Sequence, residues 1–418
     1  MAHFPKPFFK KSRGVWYVEI NRKQINLGSD RDDAFQRYHR LMGSPREQPV
    51  ASDSLAAIID AFLEWVQRNR SPDTYEWYRY RLQRFIERYP DMRAGDLKPH
   101  HVETWVGTYE FSVTSRRNYL RSVKRCLKWA KKQGYIDSNP IADLEVPSGE
   151  AREVYLAQEE FDLALELIPD PSFRDLMQAT YVCGCRPQES LIVTAVNVDR
   201  QNQRWIFERA KSKGKRIRRV VYLNQVALAI TERAMSKYPE GPLFRNIQGK
   251  PWTTESANCA CDRLRLRLGR ALIPLVKAML TDEKVETDRP MLKTLARRVA
   301  GEVTLADIAI SDAELAAFVA TLRSHKSVKG VQVAKTKSEL RAEARRKLTN
   351  RIAKLLAPRY SLYALRHSWA TNALQNGVDA LTVAILMGHS DPSTLSKVYQ
   401  HVALNPQHML EQAKRAAG

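Results

Sequence analysis

Apolar positions change their spacing along the chain, and the changes divide it into regions. Residues 8–28 are enriched in β-branched and aromatic residues. Val15, Tyr17 and Ile20 mark one strand, residues 21–23 a polar turn, and residues 24–27 a second strand. A helix is predicted over 32–41, and Gly43-Ser44-Pro45 through Pro49 reads as a linker. From Ser54 the period becomes helical, with Leu55, Ile58, Ile59, Phe62, Leu63 and Val66 recurring at three- and four-residue steps. Ser71-Pro72 opens a second helix to about Tyr89, a third spans 99–109, and a fourth starts near Thr114. On the fourth, Leu120, Val123, Leu127 and Ala130 share one side, whereas Arg117, Arg121, Lys124, Lys128 and Lys132 share another. From 154 onward the pattern is α-rich. Helices are predicted at 157–167 and 172–182, and strands at 205–207 and 218–223 flank the turn Ser212-Lys213-Gly214-Lys215.

The predicted fold class is mainly α with small β elements. A small N-terminal β-sheet domain (1–48) precedes a four-helix domain (51–136), a linker (137–153) and a mixed, α-rich domain with a β-hairpin (154–418). Within the last, residues 262–357 are basic and helix-prone, carry no recognisable chemistry, and read as an insertion or elaboration.

A chain of 418 residues is long enough for two or three domains, and 44% hydrophobic with 27% charged residues fits folded cores rather than disorder. No apolar run is long enough to span a bilayer, and the N-terminus lacks an apolar signal core, so a cytoplasmic protein without membrane contact is expected. Five cysteines make no disulfide framework. The pairs Cys183-Gly-Cys185 and Cys259-Ala-Cys261 are spaced too closely for a zinc site, so neither metal nor cofactor is expected. Charge changes the picture most. Sixty-eight Lys and Arg against 46 Asp and Glu leave +22. The stretch from Arg116 to Lys132 holds eight basic residues and no acid, and that from Arg209 to Arg219 seven and none. Two such runs favour phosphate contact, with nucleic acid the first partner to consider.

The candidate chemistry is concentrated late in the chain. Cys185-Arg186-Pro187-Gln188-Glu189 presents an arginine on a small-residue bend, with a carboxylate three residues on. Further along come Tyr363 and Arg366 at i, i+3, the stretch Met387-Gly388-His389-Ser390-Asp391, and Lys397-Val398-Tyr399. Together these motifs strongly resemble the tyrosine recombinases, the phage-integrase-like site-specific DNA recombinases. The resemblance implies Arg186 and Arg366 as the two phosphate-binding arginines and Glu189 as the supporting carboxylate. Lys213 would be the hairpin lysine, with Lys211 and Lys215 as competing registers that otherwise contact DNA. His389 would be the third-box histidine and Tyr399 the nucleophile. Tyr363 stands where most members have histidine, the gap between Lys213 and Arg366 is longer than usual, and His389 and Tyr399 are ten residues apart.

The set makes chemical sense for breaking a phosphodiester. Arginines offer planar paired donors to the non-bridging oxygens. Tyrosine, with a free pKa near 10, needs help to lose its proton, and lysine can protonate the leaving oxygen. The resemblance further implies a 3′-phosphotyrosyl intermediate, no need for metal or ATP, double-stranded attachment-type sites, and a homotetramer integrating or excising a mobile element. Independently of the resemblance, the division of the fourth helix suits Arg117, Arg121, Lys124, Lys128 and Lys132 lying against the phosphate backbone of DNA. The rival readings are a strand-relaxing enzyme like a type IB topoisomerase and a DNA-binding regulator that has lost catalysis.

Overall fold

A computed structural model describes residues 7–20, 23–43, 54–149, 155–208, 218–284, 287–328 and 331–389. The chain divides into two compact units, Met1–Ala151 and Arg152–Gly418.

The first unit begins with an antiparallel meander, β1 (Phe8–Lys10), β2 (Val15–Ile20) and β3 (Lys23–Gly28), followed by helix α1 (Arg31–Gly43). Alternation along β2 and β3 puts Val18 and Leu27 inward, where they meet Ala34 of α1 in a core of their own. Four helices follow: α2 (Leu55–Asn69), α3 (Pro72–Arg88), α4 (Pro99–Gly107) and α5 (Val113–Gln133). The Ser71 hydroxyl accepts from the Thr74 N–H at 3.3 Å ahead of Pro72, and Ser112 caps α5 in the same way. Gly134, at φ +79°, ends α5 in a left-handed turn. Phe62, Phe85, Trp105, Leu120 and Val123 are buried among these helices, each worth roughly 1.5–3 kcal/mol relative to exposure. Residues 137–149, expected as a linker, instead continue this core. Ile141 and Leu144 are buried in it, because α5 leaves an apolar face that its own neighbours do not fully cover.

The second unit is built around α7 (Pro171–Cys183), which packs against α15 (Leu362–Gln375). Helix α6 (Gln158–Glu166) precedes α7, and the short α8 (Pro187–Ile192) follows it. Then comes a three-stranded antiparallel sheet of β4 (Val198–Asp199), β5 (Arg204–Phe207) and β6 (Arg219–Tyr222), with Phe207 opposite Arg219. Helix α9 (Gln225–Lys237) leads to α10 (Thr254–Leu280), α11 (Pro290–Ala300), α12 (Leu305–Ile308) and α13 (Asp312–Ala320). A hairpin, β7 (His325–Val328) with β8 (Val331–Ala334), precedes α14 (Lys337–Leu356), and α16 (Ala380–Met387) is the last described helix. The segment 262–357 is only in part an elaboration. Leu292, Leu295 and Ala296 of α11 belong to the main core, as does Ile352 of α14, whereas Leu315, Ala344 and Leu348 form a small separate one. Helices α10 and α14 cross closely: a Cβ on Gly269 would lie 1.9 Å from the Ala353 carbonyl oxygen, so only glycine fits there. Among the described residues no helix is long and apolar enough to cross a membrane.

Candidate active site and nucleic-acid interface

Arg186 owes its position to two local devices. Helix α7 ends at Gly184, whose φ of +59° and proximity to the Trp369 ring (2.4 Å from a Cβ placed there) exclude any side chain. The chain then turns through buried Cys185 into α8, with Arg186 at its N-cap and Pro187 in its first turn. Glu189 reaches back: Oε2 accepts from the Arg186 backbone N–H at 2.8 Å, and Oε1 accepts from Arg186 Nη1 at 2.8 Å. Arg366 lies in the second turn of α15, which opens at Ser361, and its side chain is only 3% exposed.

Helix α16 supplies the other half of the site. It stops at Gly388 (φ +67°), leaving its last carbonyls without partners within the helix. Three guanidinium groups take three successive ones. Arg219 Nη1 donates to Leu386 O, Arg366 Nη2 to Met387 O and Arg186 Nη2 to Gly388 O, each at 2.6 Å. Cations are favoured at this end of a helix dipole, and here the backbone fixes their directions. Arg366 Nη1 also donates to Gly184 O at 2.8 Å, tying α15 to the bend before Arg186.

His389 follows directly. Its Nε2 lies 3.2 Å from Arg366 Nη2, and a guanidinium can only donate, so Nε2 accepts and the ring proton resides on Nδ1. That nitrogen is buried with no partner among the described residues. Burial, with Arg366 and Arg186 adding to it, pushes His389 down to about 4, so its imidazole is neutral near pH 7. Burial and the neighbouring Arg186 and Arg219 lower Arg366 to about 10, and it stays charged. For Glu189 burial pulls upward, but Arg219 and the hydrogen bonds from Arg186 outweigh it and hold the carboxyl below its usual range.

The arrangement thus joins Arg186, Glu189, Arg366 and His389, residues far apart in sequence. Arg219 is a member that sequence reasoning missed. It sits inside the second basic run, but strand alternation turns it inward beside buried Val221 while Arg218 and Tyr222 face out. An arginine on the apolar side of a Val-rich strand was the available signal. Tyr363 is exposed, its ring set edge-on against His367 at 4.7 Å, at the rim of a cleft of about 340 Å³ with Asn258, Asp262 and Arg359. Lys211, Lys213, Lys215 and Tyr399 lie outside the described residues.

In the first unit the basic run falls on α5 and separates into two sets. Arg121, Lys128 and Lys132 are exposed. Together with Arg125, which sequence reasoning overlooked, they line two adjoining clefts of about 590 and 820 Å³, walled by Trp65, Trp129, Trp77 and Tyr78. Lys124 also lines the second cleft, but it and Arg117 have partners within the protein as well. Lys124 Nζ donates to Leu144 O at 2.6 Å, and the Arg117 guanidinium lies against Gly149, so both are engaged with the chain leaving α5. The buried Ile141 and Leu144 bring that backbone within their reach.

Compared with known proteins, residues 291–405 match the phage integrase family model. The chain is 22% identical over 355 residues to a tyrosine recombinase XerC-like protein of Caldanaerobacter subterraneus subsp. tengcongensis, covering 81% of this chain and 77% of that one. The chain is thus similar to tyrosine recombinases, most clearly in its C-terminal part. A shorter match, 45% identical over 58 residues to tyrosine recombinase XerD of Brucella suis, spans only 18% of that relative. In fold the chain resembles a lambda integrase dimer bound to a COC′ core site (TM-score 0.50, 13% identity, 95% of each chain). It also resembles the Tn1549 transposon integrase in complex with a circular intermediate DNA (TM-score 0.53, 14% identity, 86% of this chain and 99% of that one).

Proposed function

We propose that this protein cleaves and rejoins double-stranded DNA at attachment-type sites through a covalent 3′-phosphotyrosyl link, and that it moves a mobile element as a homotetramer. The observation that carries the reading is the convergence of three guanidinium groups on the end of α16, two of them sharing the Glu189 carboxylate, beside a neutral histidine, a preorganised pocket for a phosphodiester. Arg186 and Arg366 hold the non-bridging oxygens. Tyr399 attacks phosphorus, the bond to the 5′ oxygen breaks, and Lys213 protonates that oxygen. His389 is neutral, and its Nε2 would take up the tyrosine proton once Arg366 turns from that nitrogen to the phosphate. The bond energy is retained in the phosphotyrosine, so rejoining needs no nucleotide. The small N-terminal sheet supports integrase-type recombination over simple strand relaxation, and the Tn1549 transposon integrase supports the mobile-element reading. The exposed cations of α5 would supply phosphate contacts.

The decisive experiment traps the intermediate on a nicked suicide duplex. Wild type should yield a denaturant-resistant DNA–protein complex, in EDTA as in its absence. Tyr399→Phe should yield none while binding DNA normally. Equal trapping by the variant would remove Tyr399 from its role.

A further inference from the structure

Arg219 is nearly as enclosed as Arg366, only 5% exposed, and the chemistry proposed above gives it no task. Its Nε donates to Glu189 Oε1 at 3.0 Å, the oxygen that also accepts from Arg186. Its Nη1 donates to its neighbour Val220 O and to Leu386 O at the end of α16, both at 2.6 Å. Its Cδ would lie 2.9 Å from a Cβ on Gly388, one residue before His389. One side chain on β6 therefore touches both the carboxylate that orients Arg186 and the turn that delivers His389.

We infer that Arg219 is a positioning residue for strand cleavage, holding Glu189 ionised and aligned and fixing the end of α16, so that Arg186 and His389 address the same phosphate. The inference rests on the phosphotyrosyl reading above. A buried cation normally requires a compensating anion, and Glu189 is the acid bonded to it. Conversely, Glu189 is shared between Arg186 and Arg219, with Arg366 and the Cys185 thiol as its other charged or titratable neighbours. Removing Arg219 leaves the carboxyl with burial opposing its charge and one fewer cation favouring it. Its proton affinity rises, and the protonated form loses an acceptor oxygen for Arg186.

The test compares wild type, Arg219→Met and Arg219→Lys in single-turnover cleavage of the nicked duplex at saturating DNA, from pH 5.5 to 8.5. Binding is measured separately, and thermal unfolding serves as the folding control. Arg219→Met should cleave about 100-fold more slowly at neutral pH, the size of loss that a small misplacement of reacting groups produces. DNA affinity should stay within about twofold, since a side chain this enclosed neutralises no exposed phosphate. The acid limb of its rate profile should move to higher pH than in wild type, activity returning as pH rises. Adding Glu189→Gln should abolish that limb. Lysine keeps the charge but lacks the planar fork, so Arg219→Lys should recover the acid limb and only part of the rate. Should the methionine variant fail to fold, the lysine variant carries the same test through its rate. Wild-type rates with an unmoved pH profile in a folded variant would overturn the inference. If wild type itself formed no phosphotyrosyl complex, the parent reading would fall, whatever Arg219 did.

Discussion

The two arginine-rich regions of this protein differ in how their charge is held. Around α16 the guanidinium groups of Arg219 and Arg366 are almost fully enclosed and that of Arg186 nearly so. Each donates to a named carbonyl, and the dipole end of a helix sets its direction. On α5 the cations Arg121, Lys128 and Lys132 stand in solvent beside aromatic walls, and salt screens them. On the proposed function, enclosed donors would lose little rotamer freedom when a phosphate arrives and would act in a less polar medium, so each would matter to chemistry. Exposed ones would be interchangeable, each contributing a small, additive part of affinity. The lesson is that equal charge in the sequence makes unequal contributions, decided by enclosure.

The largest expected effect is at Arg366. On the proposed mechanism Arg366→Ala removes a phosphate-binding guanidinium, and it unties Met387 O and Gly184 O, so single-turnover cleavage should fall by about 10²–10³-fold or more, with DNA binding changed far less. A gel-shift titration beside the suicide-substrate rate checks it. A parallel loss of binding would make the enclosed cluster another affinity patch and dissolve the contrast.

A moderate effect is expected on α5. Arg121→Ala with Lys128→Ala should lower the slope of log K against log salt by about two units, affecting specific and non-specific DNA alike, while cleavage at saturation is unchanged. The helix should remain folded, because Leu120, Val123 and Leu127 are buried and untouched and alanine favours helix. An unchanged slope would place these cations outside the interface.

The smallest effect on binding separates the two sets within α5. Lys124→Ala should leave the salt slope nearly as it was, because Lys124 is engaged with Leu144 O, but should cost about 1 kcal/mol of stability in denaturant unfolding. A slope change of a full unit for Lys124→Ala would mean that the lysine leaves its carbonyl for phosphate when DNA binds.

Local physics made much of the molecule legible from one sequence. The apolar face of α2, the Ser71-Pro72 start of α3 and the amphipathic division of α5 follow from period and capping, which act over a few residues. So does the bend at Gly184 into Arg186 with Glu189 one turn on, a contact made within four residues. The motif resemblance supplied Arg366 and His389 as candidates, and it was readable because side-chain chemistry at fixed spacing is itself local. Long-range packing decided the rest. That Lys124 serves Leu144 rather than solvent depends on Ile141 and Leu144 folding back on the helices, and no local pattern specifies where a returning chain lands. That α11 joins the main core while α13 builds a separate one depends on which apolar faces α10 and α14 leave open. And that Arg219 rather than its neighbour Arg218 is drawn inward follows from strand register. One residue of shift would have sent Arg218 to Glu189 instead and left Arg219 in water.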